Sequence, residues 1–231
     1  MVVVLGINKT PEHPFKNFID QHLNTWVKVS WAEFIQVADD PQYQKNKFYY
    51  FNGEVRVEPM STGSDHSADH ALIVMAIGLF VAVNGLALNS KDNCSYRKVG
   101  NKEVQPDISY YVGDRAQLIP WGTGIIDLET YPAPDLAIEI ANSSWADDIG
   151  KKRLMYEDLG VKEYWVIDVK NVEILAFAIT DLEGVKGSYR ITRSQVITGL
   201  ETALLQEVLR LSRENDHGYV TSWLLTQLQH K

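Results

Sequence analysis

The chain has 231 residues, of which 45% are hydrophobic and 23% charged, and a formal net charge of −8. That composition supports one sizeable core, while the acidic balance argues against tight, non-specific gripping of nucleic acid through many Lys/Arg–phosphate contacts. One cysteine, Cys94, excludes an internal disulfide framework and suits a reducing, cytoplasmic setting.

The N-terminus, MVVVLGINKTPEHPF, lacks a basic n-region, a long h-region and a small-residue cleavage site, so no signal peptide is expected. No apolar run approaches the ~20 residues that span a bilayer, and a membrane is not an expected partner. Ser30-Trp31-Ala32-Glu33 has the form of a capping box and opens a short helix through about Ala38. KFYYFNGEVRVEPM reads as two strands around Asn52-Gly53, the strongest short hairpin signal. Glu54, Arg56 and Glu58 share one face of its second strand and Val55 and Val57 the other.

A polar loop is predicted from Ser61 to His66, then an apolar helix from about Ser67 to Val83, ended by Asn84-Gly85. Strands are predicted at Cys94–Lys98 and Val104–Val112, a loop with a short helical turn over Gly113–Tyr131, and a strand at Leu136–Ile140. A helix from about Asp147 to Leu159 closes at Gly160. Strands follow at Val161–Asp168 and Glu173–Ile179, then a polar hairpin over Asp181–Arg190. Two amphipathic helical patterns run from Leu200 onwards, separated by Asn215-Asp216-His217-Gly218. The expected class is α/β, a mixed sheet with helices packed on it. No Pro/Gly/Ser-rich linker interrupts the chain. The expected organisation is an N-terminal extension over 1–29, one domain over 30–198, and a helical extension over 199–231 packed on that domain.

The chemistry concentrates around Pro134-Asp135-Leu136-Ala137-Ile138-Glu139-Ile140. In a strand, Asp135, Ala137 and Glu139 share one face and Leu136, Ile138 and Ile140 the other. Around Gln105-Pro106-Asp107, Asp107 and Ser109 likewise oppose Ile108 and Tyr110. Asp148, Lys152 and Tyr156 form one helical stripe, which brings Lys152 towards Glu139 if the helix packs on that strand. Buried carboxylates neutralise, pair or hold a cation. Asp107 and Glu139, with Glu54 a third candidate, offer oxygen ligands suited to Mg²⁺ or Mn²⁺. Such a metal with a lysine beside it suits hydrolysis of a phosphodiester.

These residues carry a resemblance. Pro106-Asp107 followed by Pro134-Asp135-Leu136-Ala137-Ile138-Glu139 resembles nucleases of the PD-(D/E)XK superfamily, and more narrowly the restriction-endonuclease family often called Uma-two. Asn52-Gly53-Glu54, His70, Asn142-Ser143-Ser144, Asp148…Lys152…Tyr156, Gly160-Val161 and Glu163-Tyr164-Trp165-Val166-Ile167-Asp168 extend it over roughly Trp31 to Phe177. The resemblance implies a restriction-endonuclease-like core, a mixed β-sheet flanked by helices, with additional N- and C-terminal helices. It also implies metal ligation by Asp107 and Glu139. A Glu-X-Lys motif would place lysine at position 141, where this chain has Ala141. The family supplies its lysine from the following helix, which here is Lys152, and Glu54 is an additional acidic residue of the site.

The implied activity is a divalent-metal-dependent endodeoxyribonuclease with DNA as a transient partner. By analogy, the C-terminal helices offer a surface for a homodimer. Two alternatives stay open: a catalytically silent binding or scaffold module, motivated by Ala141 and the acidic charge, and a hydrolase of a non-nucleic-acid phosphodiester. Asp135 reads first as the cap of a turn. Lys152 and Asp148 also suit an i, i+4 pair on a solvated helix face, the simpler reading without the resemblance. His66 and His70 have metal-ligand spacing but no zinc-protease Glu between them, and Tyr164 and Trp165 read as core aromatics. No dense Lys/Arg run is present; the nearest to one are Lys45/Lys47, Arg97/Lys98/Lys102 and Lys151/Lys152/Arg153.

Overall fold

The computed structural model describes residues 21–60, 63–141 and 144–229. Most of the expected N-terminal extension (1–20), Ser61 and Thr62 of the predicted loop, Asn142 and Ser143 of the family motif, and the last two residues of the C-terminal extension lie outside the described residues. The chain divides into two compact units, Met1–Met60 and Ser61–Lys231.

The first unit contains β1 (Trp26–Lys28), α1 (Trp31–Ala38), β2 (Asn46–Phe51) and β3 (Glu54–Pro59). β3 pairs antiparallel with both β1 and β2. The capping box at Ser30 forms in both directions, Ser30 Oγ accepting from Glu33 N–H and the Glu33 carboxylate accepting from Ser30 N–H at 2.8 Å. Asn52 and Gly53 have φ of 52° and 75°, the left-handed pair that a two-residue hairpin turn requires. Val55 and Val57 join Phe34, Val37, Phe48 and Tyr50 in a small core. On the other face of β3, Arg56 Nε donates to Glu58 at 2.5 Å.

The second unit opens with α2 (Ser64–Val83), β4 (Leu88–Asp92), β5 (Tyr96–Lys98), β6 (Lys102–Val104), β7 (Ile108–Val112) and β8 (Ile126–Asp127). Next come β9 (Leu136–Ala141) and one continuous helical stretch made of α3 (Trp145–Asp147), a π turn (Asp148–Lys152) and α4 (Arg153–Leu159). β10 (Glu163–Asp168), β11 (Glu173–Leu182), β12 (Val185–Ile191), α5 (Thr202–Leu211) and α6 (His217–Gln229) complete it. The main sheet has the order β12-β11-β10-β9-β7-β4. Among the described residues only β9 and β10 are parallel neighbours in it, and the α3–α4 stretch supplies the crossover that parallel neighbours need. β5 makes a small ribbon, antiparallel to β6 and parallel to β8. The expected mixed α/β architecture is the one observed.

Alternation divides the main sheet into two unlike faces. Ile108, Tyr110, Leu136, Ile138, Ile140, Trp165 and Ile167 form one core with apolar residues of α2, α5 and α6, each large side chain contributing about 1.5–3 kcal/mol by burial. The opposite face carries Ser109, Ala137 and Glu139, and the helix with Lys152 and Tyr156 packs there. At 20 residues α2 is long and apolar enough to cross a membrane by length and composition, which the apolar run alone understates. Its Leu72, Ile73, Ala76, Ile77, Phe80 and Val81 are buried in this core.

Three local expectations change. α2 starts at Ser64, because Gly63 adopts an extended N-cap conformation and the first turn takes up Ser64–His66. The strand predicted over Val104–Val112 is two, β6 and β7, broken at Gln105-Pro106-Asp107, where proline has no N–H for a ladder. β4, Leu-Asn-Ser-Lys-Asp, escaped the sequence reading because it lacks apolar alternation.

Candidate active site

β7 and β9 run antiparallel with Ile108 opposite Ile138 and Tyr110 opposite Leu136. Asp107 comes just before the first paired residue of β7, and its carboxylate turns onto β9 beside Glu139. Both are buried, at 7% and 2% exposure. Asp107 is held by its neighbour strand, since Ile140 N–H donates to its Oδ2 at 2.7 Å. Its backbone is held as well: Asn93 N–H donates to the Asp107 carbonyl at 3.0 Å, and His70 Nε2 lies 3.2 Å from the same oxygen. His70 Nε2 also lies 3.0 Å from Asp92, so it faces two acceptors and carries the ring proton.

The helix after β9 completes the site. Lys152 Nζ lies 3.9 Å from Glu139 Oε2 and 2.9 Å from Asp148 Oδ1. The i, i+4 pair with Asp148 therefore exists, but not on a solvated face: the two side chains are each 1% exposed. Ser144 Oγ donates to Asp148 Oδ2 at 2.5 Å, and Tyr164 OH donates to the Asp148 carbonyl at 3.0 Å. Tyr156 OH donates to Glu139 Oε1 at 2.7 Å, and its ring stacks on Tyr164 at 4.6 Å. Burial, then the negative charge of Glu139, pushes the Tyr156 hydroxyl well above its ordinary range, so it stays a donor. Lys152 lies in the π turn, a helical irregularity found often at functional sites.

Asp107, Glu139 and Lys152 thus come together within the second unit. Glu54 belongs to the first unit, where it opens β3 opposite Phe51 and Lys28. Tyr156 and Tyr164 both touch the site. Tyr156 lay in the helical stripe, but nothing in the spacing gave its hydroxyl a partner, and Tyr164 looked like plain core. Asp135, though 1% exposed, has its own partners: Arg115 Nη1, Lys162 Nζ at 2.8 Å and Val112 N–H at 2.9 Å. It closes the loop before β9. The rings of His66 and His70 are 6.5 Å apart, with His70 committed to Asp107 and Asp92.

Two buried carboxylates set side by side repel unless a cation is shared. Lys152 supplies one such charge on the Glu139 side. Among the described residues, no group of three or more His, Cys, Asp or Glu side chains could hold a metal, so a closed protein cage of the zinc type does not fit. A hard-oxygen pair does fit Mg²⁺ or Mn²⁺, which take one or two carboxylates and fill the remaining positions with water and substrate phosphate.

The family model Uma2, described as "Putative restriction endonuclease", matches residues 31–214. A crystal structure described as "a putative nuclease belonging to DUF820", from Anabaena variabilis, superposes with a TM-score of 0.50 at 20% identity, covering 85% of this chain and 99% of that one. At that identity the likeness is one of fold. No curated protein matches.

Proposed function

The chain belongs to the Uma2 family, and from that premise we propose that it is a divalent-metal-dependent endodeoxyribonuclease. The observation that carries this reading is that the buried carboxylates of Asp107 and Glu139 meet at β9, with the buried Lys152 ammonium 3.9 Å from Glu139. Asp107 and Glu139 would hold Mg²⁺ or Mn²⁺, which lowers the pKa of water and offsets charge on the scissile phosphate. Lys152, pinned by Asp148, orients the attacking water and stabilises negative charge building on the phosphate. Tyr156 keeps Glu139 in one orientation. His70 anchors the Asp107 backbone.

The test joins calorimetric Mn²⁺ titration to cleavage of supercoiled plasmid DNA with Mg²⁺ or Mn²⁺. The expected outcome is metal-dependent nicking by the wild type and its loss in Glu139→Ala and Lys152→Ala, both folded by circular dichroism, with Mn²⁺ binding lost in Glu139→Ala. Unchanged cleavage in both variants overturns the assignment. A second reading, a silent nuclease-fold binding module, draws on the closer approach of Lys152 to Asp148 than to Glu139. It predicts neither Mn²⁺ binding nor nicking by the wild type.

A further inference from the structure

A second charged feature lies on the same side of the main sheet as the site. A cavity of about 420 Å³ is lined by Lys98, Lys102, Arg115, Asp158, Gly160 and Lys186, among others. Four cations thus meet one carboxylate, in a chain whose net charge is −8. They arrive from separate segments: Lys98 and Lys102 from the β5–β6 ribbon, Arg115 from the turn after β7, and Lys186 from β12.

Their charges are unevenly spent. Lys102 is buried and paired with Asp158. Arg115 is committed to Asp135 and to the Ala133 carbonyl. Lys186 Nζ donates at 2.9 Å to the Asp158 carbonyl, a contact that leaves its charge unneutralised. Lys98 is exposed and makes no ion pair among the described residues. The cavity therefore keeps two cations available beside a framework of two fixed ones. Gly160, the left-handed stop of the helix, also lines the cavity, and Lys186 Nζ lies beside it.

Its placement relates it to the carboxylate pair. Asp135 N–H continues the β9 ladder onto Tyr110, and Asp135 and Glu139, an even number of residues apart, share a face. Arg115 binds Asp135 and lies 5.6 Å from the ring centroid of Tyr111, on the face that also carries Ser109. Four residues at about 3.3 Å each set the cavity about 13 Å from Glu139 along the strand. Asp158 stands six residues beyond Lys152 on the helix, about 9 Å.

We infer that this cavity is a phosphate subsite, in which Lys98 and Lys186 hold the sugar-phosphate backbone of the nucleic-acid strand about 13 Å from the position cut at Asp107 and Glu139. The inference rests on the nuclease reading. It also gives an acidic protein a local means of holding a polyanion: attraction acts within a Debye length of about 10 Å, so a compact basic cavity works despite the overall charge.

The experiment measures anisotropy of a fluorescein-labelled DNA duplex, and of its separated single strand, in Ca²⁺ buffer across a salt series. It compares wild type, the double variant Lys98→Ala/Lys186→Ala, and a charge-matched control, Lys170→Ala/Arg210→Ala. The altered cavity residues are exposed and lie outside the carboxylate site, so folding and Mn²⁺ binding are expected to persist. The expected result is weaker duplex binding by about tenfold or more and a salt slope smaller by about 1–2 in the cavity variant, with the control unchanged. Equal binding by wild type and cavity variant, with plasmid nicking intact, overturns the subsite and leaves the nuclease reading standing. An equal loss in the control overturns it as a net-charge effect. Tight inorganic pyrophosphate binding abolished in the cavity variant, with DNA binding unchanged, overturns it in favour of a free-anion pocket. A wild type that binds neither form of DNA and nicks no plasmid overturns both.

Discussion

Tyr156 and Lys152 reach Glu139 from one helix, and each does what the other cannot. The phenol is held neutral by burial and by the carboxylate it serves, so it can only donate. The ammonium brings charge, with Asp148 behind it. Removing the phenol oxygen should leave the fold intact but free the Glu139 side chain. If Glu139 holds the metal as proposed, Tyr156→Phe is expected to weaken Mn²⁺ binding and nicking by about 10–100-fold, the usual effect of losing a partner that orients a ligand. Calorimetry and plasmid nicking check it, and wild-type values for both would reduce Tyr156 to packing. Glu139 and Asp107 stood out in the sequence because a carboxylate within an apolar run is costly to bury. The Tyr156 hydroxyl did not stand out, because a tyrosine in a helical stripe looks the same whether its oxygen meets a carboxylate or water.

At the scale of elements, the helix from α3 to α4 is the part on which the site depends most. It starts just after β9, passes through the π turn with Lys152, and stops where Gly160 takes φ of 83°. That stop returns the chain to β10, parallel to β9. Gly160→Ala should cost about 1–2 kcal/mol, the penalty of placing a Cβ in the left-handed region. Urea denaturation would measure it, and an unchanged midpoint would show that the turn adapts. This helix and its glycine stop were legible from a stripe of period 3.6 and a glycine. The π turn was not, because its altered hydrogen bonding answers to packing against β9. Nor was β4, whose residues alternate in no pattern that separates a strand from a loop.

The whole molecule responds to pH through buried phenols. Tyr96, Tyr110, Tyr111 and Tyr156 all have hydroxyls pushed upward, chiefly by burial. In the unfolded chain they ionise near 10. Because the folded values are raised, stability is retained below about 10 and declines as pH rises beyond it, by up to about 1.4 kcal/mol per pH unit for each tyrosine that ionises only on unfolding. Thermal melts from pH 8 to 11 should show a plateau and then a fall. A flat profile through the upper end would mean these phenols ionise within the folded state. The basic cavity belongs to this scale too, since its cations come from parts of the chain that are distant in sequence. Lys98 and Lys102 were visible as a small basic group, but Arg115 and Lys186 joined them only through the fold.

By itself the sequence determined what acts over a few residues: the capping box at Ser30, the Asn52-Gly53 turn, the two unlike faces around Leu136–Ile140, and the helix stripe ending at Gly160. These follow from strand and helix periods and from backbone sterics, which need no distant partner. Family membership was legible for a related reason, because the order and spacing of such features run along the chain. Only the tertiary structure decided that the Asp107 carboxylate takes the Ile140 N–H beside Glu139, that Lys152 serves a buried carboxylate as well as its helical neighbour, and that Asp135 is neutralised by Arg115 and Lys162. Those are long-range pairings, set by packing of whole strands and helices, and the free energy that chooses among them is spread over the core.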